Sequence, residues 1–173
     1  MTTSPSTLTR AAALFAVGFL VSLAPVAGFA QTMPLENLDH FPRTTLTIAV
    51  GGTMRRFRVW IANTPARQTQ GLMFVQDLLS DQGMLFPMQP PHVAQFWMAN
   101  TYIPLDMLFV APDGRIEKIA AEAKPFSLQT ISSGAPVKAV IEIKGGEAQK
   151  LGITVGARVS WVASPADASS RAH

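Results

Sequence analysis

Asp106 lies inside the run Pro104-Leu105-Asp106-Met107-Leu108-Phe109, where every neighbour is apolar. A strand through this run places a carboxylate among hydrocarbon, and such a group must find donors or be desolvated at a cost of several kcal/mol. The nearest plausible donors in sequence are the Asn100 amide, the Thr101 hydroxyl and loop backbone N–H groups. Two uses follow. The favoured one is a buried aspartate that pins the 100–104 turn. The other is a perturbed acid or base at a pocket mouth, as a hydrolytic enzyme would need, with Asn100 and Thr101 positioning substrate.

Trp97, Asn100, Thr101 and Tyr102 lie close in sequence to the proline-rich stretch 87–91, and aromatics beside amides suit contact with a sugar or peptide. A tryptophan in an apolar strand is more often core. His92 is the one histidine inside the domain, since His40 and His173 stand in flanking segments. Met73, Met84, Met88, Met98 and Met107 fall within 35 residues, and soft thioethers bind Cu(I). Their spacing shows no repeated ligand pattern, so core filling is the favoured role and no metal or other cofactor is assigned. The chain has no cysteine, His-Glu-x-x-His, Gly-x-Ser-x-Gly or phosphate loop. The balance leans away from an enzyme.

These residues are positioned by short elements. Leu46, Ile48 and Val50 alternate with Thr45, Thr47 and Ala49, the two-residue period of a half-buried strand. Gly51-Gly52 follows as a hairpin turn, and Phe57, Val59 and Ile61 face inward on the return. Asn63-Thr64-Pro65 signals a short helix ending near Gly71. Met84-Leu85-Phe86 reads as a buried strand, and Pro87 to Pro91 as an irregular loop, because three prolines in five residues deny a ladder its donors. Strands are predicted over 95–99, 105–111, 115–120 and 137–144, a long loop over 121–136, a short helix between Gly145-Gly146 and Gly152, and a last strand over 158–163. Val137, Ala139, Ile141 and Ile143 alternate with Lys138, Val140, Glu142 and Lys144, the pattern of a strand. Seven or eight short strands with two short helices predict a mainly β domain, a single closed barrel or sandwich.

Residues 11–27 form an apolar run preceded by Arg10 and followed by Gly28-Phe29-Ala30, the pattern of a secretory signal cut after Ala30. Pro25 and the polar Gln31-Thr32 leave the run short for a membrane span. The expected organisation is a signal peptide over 1–30, a linker over 31–43, the β domain over 44–163 and a disordered tail over 164–173, in a periplasmic or secreted protein. Removing residues 1–30 takes away one basic residue and no acidic one, leaving 13 basic against 11 acidic. That small excess argues against nucleic acid as a partner. A small molecule, a glycan or an envelope protein fits better, with membrane contact only through an uncleaved signal segment.

Four dense motifs recur in a recognisable order: Thr64-Pro65 with Gly71-Leu72-Met73, Gly83-Met84-Leu85-Phe86, Phe96-Trp97-Met98-x-Asn100-Thr101, and Pro104-Leu105-Asp106-Met107-x-Phe109. In this order and spacing, over about residues 44–163, the chain resembles the domain-of-unknown-function family numbered 192. The likeness continues through Asp113-Gly114, Val140-Ile141-Glu142-Ile143 and Leu151-Gly152-Ile153 to Val159. It departs from that pattern at Gln70, where a basic residue is common, and at Gly156-Ala157, where Gly-Asp is usual. The resemblance implies a small β-rich fold and no activity.

The leading expectation is therefore a non-catalytic envelope binding module whose ligand candidates are His92, Trp97, Asn100, Thr101, Tyr102 and Asp106. The alternatives are a hydrolase using Asp106 and a Cu(I) binder using methionines. The signal reading is checked by N-terminal sequencing of protein isolated from its host, which should begin at Gln31. Full-length chain in the membrane fraction would overturn it.

Overall fold

The computed structural model describes residues 35–162. The expected signal segment, its cut after Ala30, the first residues of the expected linker and the tail from Ser164 lie outside the described residues.

Strand β1 (Arg43–Val50) and strand β2 (Thr53–Ile61) pair antiparallel with Val50 opposite Thr53, so Gly51-Gly52 alone makes the turn. Both glycines have positive φ, 53° and 80°, the pair of left-handed residues that a two-residue hairpin needs. Helix α1 (Pro65–Gln70) starts as its sequence dictates: the Thr64 side chain accepts a hydrogen bond from the Arg67 N–H, and Pro65 occupies the first turn. It carries the chain across to strand β3 (Gln82–Phe96), which runs parallel to β2.

Strands β4 (Leu105–Val110), β5 (Ile116–Ala123) and β6 (Ile131–Lys144), helix α2 (Glu147–Lys150) and strand β7 (Val159–Trp161) complete the described elements. The sheet order is β5-β4-β6-β3-β2-β1-β7. It curls until its two edges touch. Arg115, just before β5, bridges Arg158, just before β7, and the Val159 N–H donates to the Gly114 carbonyl at 2.8 Å. The mainly β expectation holds, in the form of a seven-stranded half-barrel with two short helices.

Three local expectations change. The prolines at 87–91 do not break the strand: β3 continues through them, and its register on β6 slips from Pro87 opposite Ala139 to His92 opposite Val137. Proline is tolerated there because the prolines after Pro87 fall inside a bulge, where the partner strand asks for no donor. Residues 121–136 are largely the end of β5 and the start of β6 rather than a long loop. Residues 35–43 are not a slack linker, since Phe41 is buried and the Glu36 carboxylate grips the Arg67 guanidinium through two hydrogen bonds of 2.9 and 2.7 Å.

The curl makes two apolar clusters. Its interior is filled by Leu46, Ile48, Phe57, Val59, Leu85, Leu108, Ile116, Ile141 and Val159 among others, contributed by all seven strands. The outer face of the middle strands carries a second cluster that includes Leu72, Met84, Phe86, Met98, Met107, Phe109 and Val140. Strands β3, β4 and β6 are thus covered on both sides. Gly83 shows how closely they pack: a Cβ there would run into the Glu142 carbonyl oxygen of β6, which accounts for the glycine that opens the Gly83-Met84-Leu85-Phe86 motif.

Asp106 is fully buried. Its donors are not those of the 100–104 turn. Oδ1 accepts from the backbone N–H of Glu122 at 2.8 Å and of Gly146 at 3.0 Å, and Oδ2 accepts from the Ala148 N–H at 2.8 Å. Side chains alternate along β4, so Asp106 points away from the face of Leu105 and Met107, against which Met98 and the turn pack. The N-cap residue of α2 is Gly146, which has no side chain to cap with, and Asp106 satisfies those amides from another strand. We expect Asp106→Asn to fold with a loss of about 1–3 kcal/mol, since the amide NH2 must face at least one of the three donors. Asp106→Leu should lose more, by leaving all three N–H groups unpaired. Denaturant melts of the two variants rank them, and an Asp106→Leu as stable as wild type would sink the account.

Candidate functional site

On the outer face, a cleft of about 380 Å³ opens where α1, the far end of β3 and the 97–101 turn come together over β6. Its polar lining includes Gln68, His92, Gln95, Thr101 and Glu142, and its apolar lining includes Phe86, Met88, Phe96 and Trp97. Each wall has a local cause. α1 ends at Gly71, whose positive φ of 50° turns the chain down onto the Phe86 ring. The 97–101 turn is fixed by the Thr101 N–H donating to the Met98 carbonyl at 3.2 Å, with Asn100 at φ 55°, a left-handed conformation that asparagine tolerates.

The floor is Glu142. On β6 it stands between Met84 of β3 and Met107 of β4 in the cross-strand register. It is only 4% exposed, and its Oε2 has no hydrogen-bond partner among the described residues. Burial alone pushes its pKa up to about 8, because the apolar surroundings penalise the charged form. At neutral pH the group is mostly a neutral acid with one O–H to donate. It ionises at a cost of about 1.4 kcal/mol per pH unit below its pKa once a partner arrives. Asp106, by contrast, lies on the other face of the sheet with its three donors, and the two carboxyls do not form a pair.

Of the residues singled out from sequence, the structure brings His92, Trp97 and Thr101 to this cleft. Trp97 is not core: it follows the end of β3 and is 57% exposed at the cleft. His92 is exposed, and its Nδ1 lies 2.9 Å from the Pro90 carbonyl, which fixes Nδ1 as the donor. The Thr101 hydroxyl donates to the Ala99 carbonyl at 3.3 Å. Asn100, Tyr102 and Asp106 do not line the cleft. The Asn100 carbonyl accepts from the Phe74 N–H at 2.9 Å, and Tyr102 meets Phe74 edge-on at 5.8 Å and Phe126 at 5.3 Å, an exposed aromatic group beside the turn.

Gln70, where a cation is common in the resembled pattern, is occupied: its side-chain amide donates to the Glu36 carbonyl at 2.8 Å and accepts from the Glu36 N–H at 2.7 Å. Met84, Met98 and Met107 are fully buried in the outer cluster, where they fill space, and no group of three His, Asp or Glu residues suited to a metal occurs among the described residues.

Glu142 is not among the ligand candidates that the sequence supplies, and the signal for it is Val140, an apolar residue on the same face of β6 two positions earlier.

The model of the family DUF192, described as uncharacterized ACR, matches residues 46–161. Two crystal structures are similar. One is a protein of unknown function from Novosphingobium aromaticivorans, 39% identical over 74% of this chain and 91% of that one, with a TM-score of 0.70. The other is a Sinorhizobium meliloti protein described as a proposed transcription regulator, 35% identical over 70% of this chain and 95% of that one, with a TM-score of 0.68. No curated protein matches.

Glu142 makes stability fall with rising pH. Its folded pKa is raised, so its contribution is complete below about pH 4.5, the unfolded value, and is lost as pH climbs towards about 8. Glu142→Gln mimics the neutral acid. The variant should match wild type near pH 4.5 and exceed it by roughly 3–5 kcal/mol at pH 8. Urea melts at the two pH values measure this, and a difference that does not change with pH would show that Glu142 is not held neutral.

Proposed function

The chain belongs to the DUF192 family, which has no assigned activity, and from that premise we propose that it is an exported, non-catalytic module that binds a small ligand in the cleft above Glu142. The observation that carries this reading is the Glu142 carboxyl: buried, lacking a partner at Oε2, and lining an open cleft. Buried polar groups are nearly always satisfied, and one left open costs about 1–3 kcal/mol. Such a group at the floor of a cleft suits a ligand that completes it. A hydrolase built on Asp106 has little support, because both carboxylate oxygens are taken by backbone donors on the other face of the sheet.

The transcription-regulator description belongs to the Sinorhizobium protein and is not extended to this chain. Arg58 is paired with Asp81 at 2.9 Å and Arg67 with Glu36, and the small excess of basic over acidic residues gives phosphates little to bind. Export rests on the sequence of residues 1–30. A second reading has one observation in its favour: a carboxyl with a pKa of about 8 is also matched to general acid catalysis near neutrality.

NMR titration of residues 31–173 with benzyl alcohol tests the site. Amide resonances of Leu72, Ala94, Gln95, Trp97 and Thr101 should shift while those of the β1–β2 hairpin stay, and Asp106→Asn should bind like wild type. Shifts confined to other surfaces would reject the cleft. Steady turnover of ester or glycoside probes that disappears in Glu142→Gln would replace the binding reading with the catalytic one.

A further inference from the structure

We propose that the cleft selects a monovalent organic cation, an alkyl- or arylalkylammonium, whose charged end pairs with Glu142 while its apolar body lies along Phe86, Met88 and Phe96 beside the Trp97 indole. The inference rests on the cleft being the ligand site and names the chemistry it takes. The carboxyl at the floor has an oxygen with no partner, and no lysine or arginine lines the cleft to supply one from within. An anionic ligand would therefore find no lysine or arginine to pair with there. A neutral acceptor would use the single O–H of the acid and leave the other oxygen as it is. An ammonium brings a charge and three donors to a group that can only accept once ionised.

The walls fit the rest of such a molecule. They are aromatic and thioether surfaces, and the exposed indole at the cleft gives the apolar body of the ligand a face to pack on. Gln68 and Thr69 at the cleft carry no charge, and their donors are used on the Pro87 and Pro65 carbonyls.

Binding would be coupled to a proton. Glu142 gives its proton to solvent as the ammonium enters, so a neutral acid and a cation become a neutral ion pair and one released proton. The other titratable groups on the elements around Glu142 can be enumerated. β3 carries His92, exposed at the cleft, and β4 carries Asp106, buried on the opposite face. α1 carries Arg67, held by Glu36, and the nearby turn carries Tyr102, packed between Phe74 and Phe126. On β6 itself, Lys144 pairs with Asp77 at 3.2 Å, and Lys138 lies over the Trp161 ring. Only Glu142 and His92 line the cleft, so Glu142 and His92 are the two groups whose titration the coupling must separate.

Calorimetric titration of the 31–173 protein with benzylammonium chloride and with benzyl alcohol, at pH 6.5 and 8.5 in buffers of different ionisation enthalpy, tests the inference. Benzylammonium should bind about 20-fold more tightly at pH 8.5 than at 6.5 and release close to one proton at pH 6.5, given a Glu142 pKa of about 8. Benzyl alcohol should bind equally at both. Glu142→Gln should bind benzylammonium no better than the alcohol and without pH dependence, whereas His92→Gln should keep the proton release, and Trp97→Ala should weaken benzylammonium several-fold. The wild-type proton count stands even if a variant fails to fold. Benzyl alcohol bound in the cleft without any preference for benzylammonium would overturn the cation while sparing the cleft. Failure of both probes to bind would overturn both, and benzylammonium binding without proton release would overturn the pairing with Glu142.

Discussion

Three adjacent strands, β4, β6 and β3, bury both of their faces, and most of the architecture follows from that two-sided burial. A curled sheet encloses one apolar cluster by itself, but the outer face of its middle needs a second cover. Here the turn that holds Met98, the segment around Leu72 and Leu78, and Phe41 supply it. Aromatic rings knit that cover to the sheet, with Phe86 and Phe96 edge-to-face at 5.0 Å and Phe96 reaching Phe109 at 6.4 Å. The cleft is the place where this cover stops short.

Within that doubly covered sheet the two carboxyls meet opposite fates. Asp106 sits on β4 beneath three backbone N–H groups and ties the end of β5 to the start of α2, a contact that spans 16 to 42 residues of sequence. Glu142 sits on the neighbouring strand, on the other face, between two methionines. The same residue chemistry thus serves as a structural fastening in one case and an open group in the other. The difference is the supply of donors. The α2 terminus offers several with no side-chain cap of its own, whereas the thioethers around Glu142 offer none.

The aromatic group around Tyr102 adds a further constraint. Phe74, Asn100 and Phe126 all hold positive φ, at 63°, 55° and 62°, and the N–H groups of Phe74 and Phe126 donate to the carbonyls of Asn100 and Thr101. For phenylalanine this conformation is strained by about 1–3 kcal/mol, and it persists because the surrounding hydrogen bonds determine it. Such strain is common where a surface is shaped for contact. It holds the exposed rings of Phe74, Tyr102 and Phe126 together beside the 97–101 turn.

The residues by themselves specify much of this molecule. The period-two alternation from Leu46 to Ile61 and the Gly51-Gly52 pair define the first hairpin, because side-chain alternation and left-handed glycine are local properties. Thr64-Pro65 and Gly71 define α1 for the same reason. The burial of Asp106 is also local information, since every neighbour in its run is apolar. Its donors are not, because they come from Glu122, Gly146 and Ala148, brought together only when β4, β5 and α2 close on one another. Trp97 looked like core until the end of β3 left it at the surface. Glu142 is not legible as a site residue because strand alternation tells two faces apart but does not say whether the second face is covered. That depends on which distant segment folds over it, and here the cover from the Leu72–Leu78 segment and the 97–101 turn is what turns an ordinary strand glutamate into a buried acid at the floor of a cleft.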